Sequence, residues 1–155
     1  MLRLGVLLKI IVFGATGSIG AVTVLKLLEN GHSVTAFARN PGALNLEHPN
    51  LKRAAGDVTN PADVYLAIGG CEAVIITLGS GSARSGRVRS EGTAQIIDAM
   101  QRYGVKRLVC QTTLGAGDSW NNLNFFWKRI MFGVLLRPVF EDHERQEQLV
   151  KASDL

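Results

Sequence analysis

Short apolar runs alternate along this chain with longer amphipathic ones, the order expected of parallel strands joined by crossover helices. Residues 9–13 (KIIVF) read as a buried strand. Residues 17–30 carry Ile19, Val22, Leu25, Leu27 and Leu28 near helical spacing, and Gly31 ends that helix. A second strand covers 33–38, and 40–50, with two prolines, is a loop or a short helix. A third strand covers 51–55. Asn60-Pro61 opens a helix to about 68, with proline in its first turn. A fourth strand at 73–78, a Gly/Ser loop at 79–86, a helix at 88–103 stopped by Gly104 and a fifth strand at 107–111 follow.

Beyond the fifth strand the rhythm changes. Residues 118–124 are polar, 125–136 are apolar and bulky, Pro138 interrupts, and 141–152 form a last polar helix. No repeat beyond the β/α alternation and no interdomain linker occurs. The expectation is one domain over 1–155, a Rossmann-like doubly wound α/β fold with strand order 3-2-1-4-5.

Between the first strand and the first helix lies Gly14-Ala15-Thr16-Gly17-Ser18-Ile19-Gly20, a G-x-x-G-x-x-G run. The first glycine permits a tight turn, the second lets backbone approach a diphosphate, and the third lets helix pack on sheet. A helix N-terminus then offers unpaired amides and a positive dipole end to phosphates. A glycine pattern alone is weak. This one follows an apolar strand and opens an apolar-periodic helix, as dinucleotide binding requires.

The second strand ends Phe37-Ala38-Arg39-Asn40. A site preferring NAD places an acidic residue about 20 residues beyond the glycines to meet the ribose 2′-hydroxyl. No Asp or Glu occurs between Gly31 and Leu46, and Arg39 takes the tip. Its planar fork suits a 2′-phosphate, so NADP(H) is the expected cofactor. A solvated strand-end arginine is the alternative reading.

Composition narrows the rest. At 46% hydrophobic and 19% charged, the 155 residues can bury a core. The net charge of +4 is scattered rather than interleaved with aromatic residues, so nucleic acid is not indicated. Cys71 and Cys110 are too few for a disulfide framework and read as small buried residues in a reducing compartment. Residues 1–8 lack a small-residue cleavage site, and 125–136 is too short to span a bilayer, so a cytoplasmic protein is expected.

These motifs resemble the atypical short-chain dehydrogenase/reductase group, in particular NAD(P)H-binding proteins similar to biliverdin reductase B/flavin reductase and NmrA-like proteins. The resemblance runs from about Lys9 to the last residue. It rests on Gly14-Ala15-Thr16-Gly17, Gly56-Asp57-Val58, Leu78-Gly79, Ser90-Glu91-Gly92-Thr93, Gly104-Val105-Lys106-Arg107 and Gln111-Thr112-Thr113. It implies that Thr16, Ser18 and Ile19 join the glycines at the diphosphate. It also implies that Asp57 and Val58 flank the adenine and that Leu78 and Gly79 pass beneath the ribose and diphosphate. Thr112 and Thr113 then stand beside the nicotinamide. Read without the resemblance, Asp57 is equally a cap or turn former.

The departures bear on chemistry. The group commonly carries a Tyr and a Lys four residues apart, the lysine lowering the pKa of a proton-donating phenol. Alignment of the last helix puts Val139 and His143 there, with Glu147 one turn later. Relatives that reduce flavins and biliverdin manage without that tyrosine. Such relatives also continue into a further strand, so the chain is expected to be truncated at its C-terminus, leaving the fifth-strand edge open to association.

Thr113 and His143 are the catalytic candidates. Thr113 would hydrogen-bond the carboxamide or substrate, or else cap backbone. His143 would protonate a substrate after hydride arrives, or else be a solvated helix residue. The stretch Phe125 to Phe132, with Lys128 and Arg129, would wall a flat acceptor, or serve as core or interface. The loop holding Arg84 and Arg87 would close over the cofactor. The expected function is NADPH-dependent reduction of a planar conjugated acceptor by a monomer or homodimer. A non-catalytic NADP(H)-binding regulator of NmrA type is the alternative.

Overall fold

The computed structural model describes residues 6–79, 87–112 and 137–155. Thr113, the loop with Arg84 and the aromatic stretch 125–132 lie outside the described residues. The chain runs β1 (Lys9–Phe13), α1 (Ser18–Glu29), β2 (Ser33–Ala38), a 3-10 turn at Pro41–Ala43, β3 (Leu51–Ala55) and α2 (Pro61–Ile68). β4 (Ala73–Ile76), α3 (Val88–Tyr103), β5 (Arg107–Cys110) and α4 (Arg137–Ala152) complete it. The strands form one sheet, ordered β3-β2-β1-β4-β5, with every pairing parallel.

Burial on both faces explains why the central strands read as continuous apolar runs. Ile11 and Phe13 of β1 face one side, where they join Phe37, Ile76, Ile96 and Met100 in one core beneath α2 and α3. Val12 faces the other way and joins Val24, Leu28, Val34 and Ala36 beneath α1. The Phe13 and Phe37 rings meet at 4.8 Å between centroids. Phe13 is level with both Phe37 and Ile76 in the ladder, so β1 and β4 end together and β2 runs one residue further. Strand order reverses between β1 and β4, and a ligand crevice opens outside strand ends at such a point.

Three boundaries differ from the sequence reading. β4 stops at Ile76, although the Thr77 amide still reaches the Phe13 carbonyl at 2.9 Å and its hydroxyl donates to the same oxygen at 2.9 Å. β5 stops at Cys110, although the Gln111 amide still reaches the Ile76 carbonyl at 2.9 Å. The last helix begins at Arg137 rather than 141, so Pro138 sits in a first turn, where its missing N–H costs nothing, and does not interrupt.

Both cysteines are free and half-buried, and burial raises both thiols, Cys110 to about 11 with the charge of Glu147 adding to the effect. Among the described residues no helix is long and apolar enough to cross a membrane.

Candidate cofactor-binding site

The glycine turn is built by fit as much as by flexibility. Gly14 has φ +81°, and a side chain there would stand 2.6 Å from the Thr77 carbonyl oxygen. Gly20 is tighter, because a Cβ would come within 2.1 Å of the Gly14 carbonyl oxygen. Gly17 differs from both. It is the N-cap of α1 with φ −71°, and a Cβ there would meet only the Gly14 carbonyl oxygen at 3.3 Å. Neither backbone strain nor packing demands glycine at 17. The space it leaves is where a diphosphate would come against the main chain.

The start of α1 is electrically open. Gly17 supplies no side-chain cap and the first turn has no acidic residue. The first helical bond runs from the Ala21 amide to the Gly17 carbonyl at 2.8 Å. The amides of Ser18, Ile19 and Gly20 find no acceptor among the described residues. Unpaired donors at a positive dipole end are what an anion requires, so the turn fits the diphosphate of a dinucleotide.

A cavity of about 460 Å³ leads from this turn across the ends of β2 and β3. Gly14, Thr16 and Gly17 stand at one end, Arg39 and Asp57 at the other, and Val58, Leu78 and Gly79 lie along it. Arg39 is exposed at the tip of β2. Asp57 serves as a turn former as well as a wall. Its Oδ1 accepts from the Thr59 amide at 2.9 Å and from the Thr59 hydroxyl at 2.8 Å. Those two bonds, then the charge of Arg39, hold its carboxyl below the ordinary aspartate value.

A second cavity, about 210 Å³, opens at the far end. It shares Gly17, Leu78 and Gly79 with the first, and adds Ser18, Ile19, Thr112, Arg89 and His143. His143 is not a solvated helix residue: it is 9% exposed, and its Nδ1 has no partner. α4 lays a polar stripe of Asp142, His143 and Gln146 against α3, which a reading of EDHERQEQ as solvated leaves out. Burial and the nearby Arg89 push the imidazole down to about 4, with Asp142 and Gln146 opposing. The imidazole is therefore neutral near pH 7.

The residues the sequence reading passed over are those that hold this end together. Asp142 accepts from the Arg89 and Ser90 amides at 3.1 and 3.0 Å and from the Ser90 hydroxyl at 2.5 Å. It thereby caps α3 from another helix. Gln146 donates to Thr93 at 3.0 Å. At Gly92 a Cβ would lie 2.8 Å from both methyls of Val58, so small size there seats α3 beneath the cavity wall. The motif Ser90-Glu91-Gly92-Thr93 was the available signal, since three of its four residues dock a partner. Thr77, buried and bonded to Phe13, had none.

Known proteins share this fold. Over 113 residues the chain is 39% identical to a 3-beta-hydroxysteroid dehydrogenase of Mycolicibacterium neoaurum, covering 65% of this chain and 31% of that protein. ChuY, an anaerobillin reductase from Escherichia coli, superposes with a TM-score of 0.74 at 24% identity, over 95% of this chain and 68% of that one. A short-chain dehydrogenase/reductase from Veillonella parvula in complex with NADP does so at 0.74 and 19% identity, over 95% and 65%. The chain thus spans about a third of that curated dehydrogenase and about two thirds of the solved structures. The family described as NAD(P)H-binding is matched over residues 14–155, from the first glycine of the turn to the last residue, and this chain belongs to it.

Proposed function

We propose that the protein is an NADPH-dependent reductase, acting in the cytoplasm, that passes hydride to a planar conjugated acceptor such as a flavin, quinone or tetrapyrrole. The observation that supports this is that the two cavities share Gly17, Leu78 and Gly79 in their walls, which suits one dinucleotide laid from Arg39 toward Thr112. The nicotinamide supplies the hydride when bound; position and electrostatics are left to the protein.

The amides of Ser18, Ile19 and Gly20 hold the diphosphate. Arg39 grips the 2′-phosphate in preference to a bare ribose hydroxyl, and Asp57 with Val58 borders the adenine. Leu78 and Gly79 run beneath the ribose and diphosphate. Thr112, half-buried in the wall of the second cavity, faces the nicotinamide end. Thr113, the next residue in the sequence, would hydrogen-bond the carboxamide or the acceptor. His143, neutral, offers a hydrogen bond rather than a proton. Conjugated acceptors suit such a site, because a reduced flavin or quinone spreads its negative charge and takes its proton from water.

Val139 and His143 at the positions of the usual Tyr and Lys favour a second reading, a non-catalytic NADP(H)-binding regulator of NmrA type. Oxidation of NADPH in the presence of FMN, menadione or biliverdin separates the two. Turnover with any of them is the expected result. Tight NADPH binding with no turnover on all three would transfer the case to the regulator.

A further inference from the structure

A buried guanidinium stands at the acceptor end of the cleft with most of its donors unmatched. Arg89 is 7% exposed and lines the smaller cavity. Its Nε donates to the Leu78 carbonyl at 3.1 Å. Its Nη1 lies 3.9 Å from Asp142 Oδ2, beyond hydrogen-bond range. The side chain makes no other hydrogen bond or ion pair among the described residues.

Asp142 cannot move to it without giving up the start of α3, whose amides and Ser90 hydroxyl already hold both carboxylate oxygens. Asp142 is the ion-pair partner of the guanidinium at 3.9 Å, but it makes no hydrogen bond to it. In the same wall, the Nδ1 of His143 is buried and without a partner, and Thr112 brings a hydroxyl. The unbonded Nη donors of Arg89 therefore open on the cavity, and beside them a buried polar nitrogen without a partner is unfavourable unless something completes it. An anion would meet both groups at once. A guanidinium fork matches the two oxygens of a carboxylate, and neutral imidazole adds a further donor as its Nδ1–H tautomer.

We propose that Arg89, with His143 Nδ1 and the Thr112 hydroxyl, receives a carboxylate carried by the acceptor, so that the substrate is an anionic conjugated acid rather than a neutral one. The substrate assignment rests on the reductase reading above; the anion site itself is testable without turnover. A second source of oxyanion stands nearby, because Gly17, Ser18 and Ile19 line the same cavity and would hold the cofactor's diphosphate.

The test is calorimetric titration of benzoate, with benzamide as the neutral control, into protein saturated with NADP+. Wild type should bind benzoate and not benzamide. Arg89→Met should weaken benzoate by about tenfold or more with NADP+ affinity unchanged. Arg89→Lys, which keeps the charge and loses the fork, should fall between and decides the matter if the Met variant does not fold. Equal binding of benzoate by wild type and variants, or no benzoate binding at all, overturns the proposal. So does displacement of NADP+ by benzoate, which would assign Arg89 to the cofactor's phosphates. If NADP+ itself does not bind, the reductase reading fails separately. Benzoate is then titrated into cofactor-free protein, where Arg89-dependent binding upholds the anion site and its absence ends it.

Discussion

Asp142 on α4 holds Ser90 at the start of α3 through both its backbone amide and its hydroxyl, at 3.0 and 2.5 Å. The start of α1, by contrast, has neither a side-chain cap nor an acidic residue in its first turn. One physical need, an acceptor for orphan amides at a positive dipole end, is met by protein at α3 and left for a ligand at α1. That contrast separates a structural helix start from a binding one.

Removing the cap should loosen the α3–α4 pair. Asp142→Ala leaves two amides and the Ser90 hydroxyl without their acceptor and Arg89 without its neighbouring carboxylate, at a cost of about 3 kcal/mol or more. Denaturant unfolding should show the loss, and Asp142→Asn, which keeps one acceptor oxygen, should retain part of the stability. An unchanged midpoint for the alanine variant would contradict the assignment.

The glycines of the turn should divide by role. Gly20→Ala forces a methyl to within 2.1 Å of the Gly14 carbonyl oxygen and should lower the melting temperature sharply. Gly17→Ala meets only a 3.3 Å contact, so the protein should melt nearly as wild type while NADPH affinity drops by about tenfold or more. If both variants melt alike and bind alike, the second glycine has no ligand role.

Much of this was legible in the sequence. The five strands and the G-x-x-G-x-x-G turn were readable because buried parallel strands and helix-opening glycines leave local signatures. The end of β4 was not, since the Thr77 hydroxyl turns in to bond the carbonyl of Phe13, a residue 64 positions earlier. The acceptor end was least legible. His143 sits among charged neighbours in sequence, and only the docking of α4 on α3 shows that its own face of the helix is buried. Asp142 and Arg89 likewise acquire meaning through contacts 53 positions apart.

Cofactor preference should lie in Arg39. Arg39→Ala should weaken NADP+ by about tenfold or more and NAD+ by much less, because only the former offers a 2′-phosphate to the guanidinium fork. Equal weakening of both, measured by fluorescence titration, would show that another group reads the ribose.

Burial of His143 predicts a pH dependence of stability. Its folded value of about 4 lies below the ordinary 6.5, so between those values the unfolded chain binds the extra proton. The neutral imidazole's contribution is full above pH 6.5 and is lost as pH falls toward 4, at most about 3 kcal/mol. Unfolding free energy measured across that window should fall less steeply in His143→Gln than in wild type. Parallel profiles would mean that the imidazole titrates normally.

The central claim is that the open amides of α1 and the cleft beyond them hold a pyridine dinucleotide by its diphosphate and 2′-phosphate. Equilibrium titration of the folded protein with NADPH and NADH tests it most directly. Saturable one-to-one binding, tighter for NADPH and weakened about tenfold or more by Gly17→Ala, is the predicted result. No binding of either nucleotide by protein that melts cooperatively would contradict it.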